Sequence, residues 1–158
     1  MSVTPFAIPP YGAPLIRALQ SGDTPAARLY PANMTATFCP PIPILRSFDE
    51  AKAREFYVEF LGFDVTFEHR FEPGTPLYME LRMGDCILHL SEHFGDASPG
   101  VSLRIEMEDV RGFAFALNAK RYRHARPAVQ RQPWGYDDMS ISDPFGNRLI
   151  FCTPVLSA

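Results

Sequence analysis

The sequence predicts an α+β fold in which two β-α-β-β-β modules form curved sheets around a groove, with the helices outside. Three observations lead to this prediction. The same order of strands and helix occurs twice along the chain, at about residues 40–94 and 101–154. Several of the strand segments alternate apolar and polar residues, which is typical of half-buried strands. Residues 95–100, Gly-Asp-Ala-Ser-Pro-Gly, have the composition of a linker between the two copies.

The first module begins with residues 42–46, which are apolar and extended and predict a strand. Ser47 and Glu50 form a capping-box pattern, so a helix is predicted to follow with Ser47 as its N-cap. Gly62 is expected to end the helix in the left-handed conformation of a C-cap. The buried face of the helix is predicted to consist of Ala53, Phe56, Tyr57, Phe60 and Leu61. The three later strands are predicted at 63–69, 77–83 and 86–91.

The second module repeats this order. Residues 101–107 alternate in polarity and predict a strand. Residues 109–120 predict a helix with Val110, Phe113 and Leu117 on one face. The three remaining strands are predicted at 128–132, 136–142 and 149–153.

The chain before the modules is rich in proline. Nine of the 16 prolines lie in residues 1–43, and proline removes backbone donors and disfavours helix in the residue before it. Residues 1–37 are therefore predicted to be an arm or tail in front of a single domain at 38–158. One interpretation is an arm that wraps a partner subunit, and the other is a loose tail. The first residues lack the basic and apolar regions of a secretory signal.

Overall composition argues against two classes of partner. The formal net charge is −3, which does not favour binding to nucleic acid. Since no apolar run approaches roughly 18 residues, no membrane span is expected.

Cys39, Cys86 and Cys152 lie far apart, without the spacing of a disulfide framework or a cysteine zinc site. We interpret them as buried, inert thiols of a cytoplasmic protein.

Two segments carry a resemblance to a known superfamily. Residues 47–63 read Ser-Phe-Asp-x₆-Phe-Tyr-x₃-Leu-Gly-Phe, and residues 133–151 contain Pro-Trp-Gly followed by Asp-Pro-x-Gly-Asn-x-Leu-Ile-Phe. The chain thus resembles the glyoxalase / bleomycin-resistance / extradiol-dioxygenase superfamily, which has the vicinal oxygen chelate fold, and is most similar to bleomycin resistance proteins. The resemblance implies the paired-module fold and a homodimer with grooves at or near the subunit interface.

Enzymes of that superfamily bind a divalent metal through four side chains, one from the first and one from the last strand of each module. The resemblance places these positions at Ile42, His89, Ser102 and Ile150. One imidazole and one hydroxyl fall short of the three or more donors that a stable site needs. We therefore expect no metal and no cofactor there, and none of the Lewis-acid chemistry that a metal supplies.

A groove with aromatic walls and carboxylates suits a flat, cationic or metal-chelating drug. The predicted ligand-binding residues are Trp134, His89, Phe63, Phe67, Tyr78, Glu106 and Asp137. Structural alternatives stand beside them: a hydrogen-bonded histidine beneath the sheet, core positions for the tryptophan and the other aromatic residues, and solvated strand faces for the carboxylates. A basic cluster after the second helix complements the dipole of that helix. Its members are Lys120, Arg121, Arg123, Arg126 and Arg131.

Three hypotheses about function follow. The first is a metal-independent binding protein, similar to bleomycin resistance proteins, that sequesters a small aromatic or cationic compound in a groove at the dimer interface. The second is an enzyme of the same fold, a glyoxalase-like lyase or isomerase or an extradiol dioxygenase, which needs a metal. The third is a structural or regulatory module with a closed groove.

Overall fold

Two four-stranded sheets form the framework of the protein. A computed structural model describes residues 39–155, so the predicted arm at 1–37 lies outside the described residues. The strands of the first sheet are β1 (Ile44–Arg46), β2 (Asp64–His69), β3 (Tyr78–Met83) and β4 (Cys86–Ser91). Those of the second sheet are β5 (Ser102–Glu106), β6 (Val129–Gln132), β7 (Tyr136–Ser142) and β8 (Arg148–Pro154).

Both sheets have the same topology. The strand orders are β1-β4-β3-β2 and β5-β8-β7-β6. In each sheet the first strand is parallel to the last, and the other neighbours are antiparallel. The crossover between first and second strands holds the helix of the module. The predicted α+β fold of two β-α-β-β-β modules is confirmed.

Helix α1 of the first module begins as an α-helical segment, Glu50–Ala53, and continues as a π-helical segment, Arg54–Leu61. Its N-cap is Asp49, whose carboxylate accepts a hydrogen bond of 3.0 Å from the backbone N–H of Lys52. The prediction of Ser47 as N-cap is wrong, because the N–H of Ser47 donates to the carbonyl of Ser91 and so extends the β1–β4 pairing.

The end of α1 and the start of α2 agree with the sequence prediction. Gly62 ends α1 with φ of 94°, a left-handed conformation that costs glycine little. Helix α2 spans Val110–Ala119, and the carboxylate of Asp109 caps it by accepting a hydrogen bond from the N–H of Gly112. No helix within residues 39–155 is long and apolar enough to cross a membrane.

One apolar core joins the two modules. It contains the helix-facing residues of both sheets, such as Leu90 and Leu149, together with the buried faces of α1 and α2. The Nζ atom of Lys120 donates hydrogen bonds to the carbonyls of Glu59 and Phe60 at the end of α1, at 2.9 and 2.7 Å. These bonds satisfy carbonyls that the helix end leaves free, and they connect the second module to the first.

Candidate functional site

The second sheet carries polar side chains on the face that is turned away from the core. Side chains of a strand alternate between the two faces of a sheet. In β5, Leu103 and Ile105 pack against the core, while Ser102, Arg104 and Glu106 are exposed. The exposed face of the sheet is therefore polar along the whole length of β5 and charged at Arg104 and Glu106.

Four of these side chains form a connected row. The guanidinium of Arg104 donates to both carboxylate oxygens of Asp138, at 2.9 and 2.8 Å. The same guanidinium lies 4.9 Å from the ring centroid of Tyr136. The hydroxyl of Tyr136 donates to Oε2 of Glu106 at 3.2 Å, and the negative charge of Glu106 raises the pKa of Tyr136. Asp138 is thus neutralised by an arginine, whereas Glu106, among residues 39–155, is hydrogen-bonded to a neutral phenol and paired with no cationic side chain.

Glu106 lies at the border of two cavities. The smaller, of about 200 Å³, has apolar walls that include Phe63, Phe113 and Phe151. The larger, of about 470 Å³, is lined by Glu106, Met107, Glu108, Thr153 and Pro154. Within residues 39–155, neither Glu106 nor Glu108 belongs to an ion pair. Two carboxylates without an ion-pair partner among the described residues therefore line the larger cavity, and one of them also lines the smaller.

Trp134 lies on the turn between β6 and β7. Its side chain is 62% exposed, so it does not occupy the core position that the sequence left open as an alternative. Gly135 has φ of 85°, and its carbonyl accepts a hydrogen bond of 2.8 Å from the N–H of Val155. The turn is therefore fixed beside the end of β8, where Pro154 lines the larger cavity. Trp134 offers an aromatic surface at this edge of the second sheet.

Asp137 lies on the other face of β7. Its carboxylate accepts hydrogen bonds from Nε of Arg111 at 2.6 Å and from Nε of Arg131 at 2.5 Å. Hydrogen bonds with these two arginines lower the pKa of Asp137 from 3.8 to about 2. Its partner Arg111 belongs to α2, so Asp137 lies on the helix-facing side of the sheet, opposite to Glu106. The carboxylate of Asp137 is part of an ion-pair cluster with Arg111 and Arg131.

His89 belongs to a buried polar network on the first sheet. Its Nδ1 is 2.6 Å from the hydroxyl of Tyr78, and its Nε2 is 3.0 Å from Oε2 of Glu80. The hydroxyl of Thr66 donates to the other oxygen of Glu80 at 2.7 Å. His89 is 4% exposed and Tyr78 is 3% exposed. This geometry matches the structural alternative for His89, a hydrogen-bonded histidine beneath the sheet. Its partner Glu80 was not indicated by the sequence.

Burial of Tyr78 affects its ionisation. Burial first, and then the negative charges of Asp96 and Glu80, raise the pKa of Tyr78. The phenol therefore stays protonated at neutral pH. Tyr78 and His89 are both predicted ligand-binding residues, and the contact between the hydroxyl and Nδ1 joins neighbouring strands β3 and β4.

The remaining two predicted aromatic residues lie apart from each other. Phe63 is 1% exposed, belongs to the core and forms part of the wall of the smaller cavity. Phe67 is half-buried on β2, with its ring nearly parallel to that of His69 at a centroid distance of 6.5 Å. Of the seven predicted ligand-binding residues, Phe63 and Glu106 line one cavity together.

The three cysteine thiols are free, and they differ in burial. Cys152 is buried and Cys86 is half-buried, and desolvation raises the pKa of both thiols. Cys39 is exposed, contrary to the prediction that all three are buried.

The metal positions implied by the resemblance can be compared with the strand register. His89 lies opposite Ile44 of β1, and Ile150 lies opposite Arg104 of β5, whereas Ile42 precedes β1 and Ser102 pairs with Arg148. The facing side chains are thus two isoleucines, one imidazole and one guanidinium, which has no acceptor atom for a metal. No group of three His, Cys, Asp or Glu residues within 39–155 has the arrangement of a metal site. The donors at these positions do not fit a divalent metal.

The paired sheets and their common topology define the class of protein: a two-module α+β chain of the glyoxalase type. The chain belongs to the glyoxalase superfamily, because a family model described as "Glyoxalase superfamily protein" matches residues 32–156. No curated protein sequence matches the chain.

Solved structures of the same fold include proteins that bind antibiotics. A bleomycin-binding protein complexed with bleomycin is 25% identical, with a TM-score of 0.53 over 73% of this chain and 98% of that chain. TnmS3, an antibiotic binding protein from Streptomyces sp. CB03234, is 25% identical, with a TM-score of 0.53 over 75% and 99%. A bleomycin resistance determinant encoded on the transposon Tn5 has the same fold, with 24% identity and a TM-score of 0.59 over 75% and 100%. The predicted resemblance to the bleomycin-resistance branch is confirmed.

Proposed function

We propose that the protein is a metal-independent binding protein that sequesters a small aromatic or cationic compound, in the manner of the bleomycin-binding proteins whose fold it has. The ligand occupies the charged face of the second sheet, next to Glu106. Its groove is completed by a second copy of the chain, because the polar face of the second sheet is exposed and is not covered by the helix of its own module. The compound is held without making or breaking a covalent bond.

The observation that carries this proposal is the environment of Glu106. Within residues 39–155, Glu106 has no ion-pair partner, and it lines the larger cavity together with Glu108. A cation attracted by the two carboxylates leaves its flat apolar part in contact with the ring of Tyr136, whose hydroxyl is bonded to Glu106 on the same face of the sheet. Trp134 lies on the turn next to the larger cavity and adds a further aromatic surface.

The donor set supports binding rather than metal-assisted catalysis. A lyase, isomerase or dioxygenase of this superfamily needs several metal ligands, and the facing positions Ile44, His89, Arg104 and Ile150 supply one. Elemental analysis of protein purified without chelator tests this part of the proposal. A stoichiometric zinc, nickel or iron content would contradict metal-independent function.

Because free thiols are typical of proteins in a reducing compartment, we also propose that the protein is cytoplasmic.

A charge-removal experiment tests the site. Glu106→Gln is expected to weaken the binding of metal-free bleomycin about tenfold, since it removes one of two carboxylates beside the cavity. Glu72→Gln is the matched control, because Glu72 is exposed on the loop between β2 and β3. Equal affinities of the two variants in calorimetric titration would contradict the placement of the ligand next to Glu106.

A further inference from the structure

The smaller cavity, which borders Glu106, lies between the two modules. Its apolar walls come from both of them and consist of Phe63, Met83, Cys86, Ile105, Met107, Phe113 and Phe151. Ile105 packs against the core, whereas the compound of the proposed function lies on the opposite, polar face of β5. The smaller cavity is therefore a separate place on the molecule, and the proposed function does not use it.

Three phenylalanine rings form the fixed part of the wall. Phe63 and Phe151 are buried and belong to the core, so their neighbours hold them in place. The ring of Phe113, which is half-buried on α2, meets the ring of Phe151 edge to face at a centroid distance of 5.2 Å. Rings that are held in this way leave a preformed space with apolar sides.

Sulfur-containing side chains form the adaptable part of the wall. Met83 and Met107 are half-buried and pack against the core. Methionine fits its unbranched side chain to irregular gaps, and its thioether makes favourable contacts with the edge of an aromatic ring. Desolvation raises the pKa of the Cys86 thiol, so this group is neutral at neutral pH. The wall therefore carries no charge and offers polarisable groups to a ligand.

The charged residues that line the cavity are acidic and exposed. They are Asp85 and Glu106, and in the part of the chain that the structure describes no cationic side chain lines the cavity. An anionic ligand would meet like charge at the rim and no cationic partner inside. A cationic group would lose its water among apolar walls, while the two carboxylates remain solvated outside them. Both arguments favour an uncharged ligand.

The volume of the cavity limits the size of this ligand. At about 200 Å³ it is smaller than the sites of drug-sized molecules, which have roughly 300–1,000 Å³. An engineered apolar cavity of about 150 Å³, lined by leucine, isoleucine and phenylalanine, stays dry and binds benzene. The smaller cavity therefore has room for one six-membered ring with a short substituent.

We propose that the smaller cavity binds a small uncharged apolar molecule with the size of one aromatic ring. The ring of the ligand lies against Phe113 and Phe151, with methionine and cysteine side chains around it. The removal of apolar surface from water supplies the binding free energy. The protein then has two sites of different preference, a cation site on the polar face of the second sheet and an apolar site between the modules.

Backbone amide chemical shifts of the full chain locate the ligand. Toluene is the uncharged probe, while benzoate and benzylamine carry the same ring with a negative or a positive charge. We expect toluene to shift the amides of residues 83–86 and 113 saturably, and both charged probes to bind there at least tenfold more weakly. If toluene does not shift these amides, or if either charged probe binds there as tightly, the proposal is wrong. Shifts at residues 136–138 report the cation site, so the two proposals succeed or fail independently.

Matched cysteine variants then test the cavity itself. Cys86→Leu fills part of the space and is expected to weaken the binding of toluene about tenfold. Cys39→Leu makes the same change at an exposed cysteine outside the lining, and its affinity should stay close to that of the parent protein. Cys86→Val, a smaller change, should give an intermediate affinity and decides the matter if Cys86→Leu does not fold. Equal affinities of the Cys86 variants and Cys39→Leu would overturn the site.

Discussion

The hydroxyl of Tyr57 donates a buried hydrogen bond of 2.7 Å to Oδ2 of Asp143, across 86 residues of sequence. Tyr57 belongs to α1 of the first module, and Asp143 begins the turn between β7 and β8 of the second. Asn147, at the end of the same turn, donates its side-chain amide to the carbonyl of Arg46 at 2.8 Å. The Asp-Pro-x-Gly-Asn motif therefore connects the modules, in addition to making the turn.

Removal of this hydroxyl is predicted to weaken the connection between the modules. Burial and the charge of Asp143 raise the pKa of Tyr57 far above its ordinary value, so the phenol is always the donor. Tyr57→Phe is expected to lower the free energy of unfolding by about 1–3 kcal/mol, because it leaves a buried carboxylate with one partner fewer. Urea unfolding measures this change.

The control for that variant is Tyr136→Phe, which removes an exposed hydroxyl bonded to Glu106. It is expected to change the free energy of unfolding by less than about 0.5 kcal/mol. A Tyr57→Phe protein as stable as Tyr136→Phe would show that the buried hydrogen bond does not hold the modules together.

The ion pairs of Asp137 predict a dependence of stability on pH. Since the folded protein lowers the pKa of Asp137 from 3.8 to about 2, these pairs stabilise it fully above the unfolded value. The contribution is lost as the pH falls from about 5 towards about 2. Asp137→Asn is expected to be less stable at neutral pH and to lose less stability on acidification than the parent protein.

Urea unfolding of both proteins at several pH values in this interval checks the prediction. Glu72→Gln, which changes an exposed carboxylate, should retain the pH dependence of the parent protein. If Asp137→Asn also follows the parent curve, then Arg111 and Arg131 do not set the ionisation of Asp137.

The only tryptophan of the chain provides a direct signal for the proposed ligand site. Because Trp134 is exposed on the turn beside the larger cavity, its emission should change when a planar cationic compound binds. Trp134→Ala is expected to weaken binding about tenfold in calorimetric titration, where the fluorescence of the residue is not needed. Unchanged affinity of Trp134→Ala would place the ligand elsewhere.

Residues 1–37 are predicted to pack on the neighbouring subunit as an arm. Deletion of these residues should then lower the mass measured in solution from dimer to monomer, or lower the melting temperature of the dimer. Light scattering and thermal unfolding of the shortened chain measure both quantities. A dimer with unchanged mass and melting temperature would favour the alternative of a loose tail.

Much of the fold follows from local sequence patterns. Alternation in residues 101–107 identified β5, and glycine at position 62 identified the end of α1, because each signal depends on residues that are close in sequence. The N-cap of α1 was predicted two residues too early. The N–H of Ser47 donates to the carbonyl of Ser91, which is 44 residues away. The capping-box pattern depends on four consecutive residues and therefore cannot indicate such a distant partner.

The candidate site was less accessible to sequence reasoning. Glu106 was identified because strand alternation places it on the polar face, but its lack of an ionic partner depends on the positions of all neighbouring arginines. Asp137 and Asp138 are adjacent in sequence and lie on opposite faces of β7, where Asp138 meets Arg104 and Asp137 meets two other arginines. The link between His89 and Glu80 needed the register of β3 against β4, which sequence alone does not define.

We propose that the protein binds a planar cationic compound next to Glu106 without a metal. The most direct test is a titration of chelator-treated, metal-free protein with metal-free bleomycin, followed by the fluorescence of Trp134. We predict saturable binding with one ligand per chain, unchanged by chelator and weakened about tenfold in Glu106→Gln. Absence of saturable binding, or binding that appears only after a divalent metal is added to the protein, would contradict the claim.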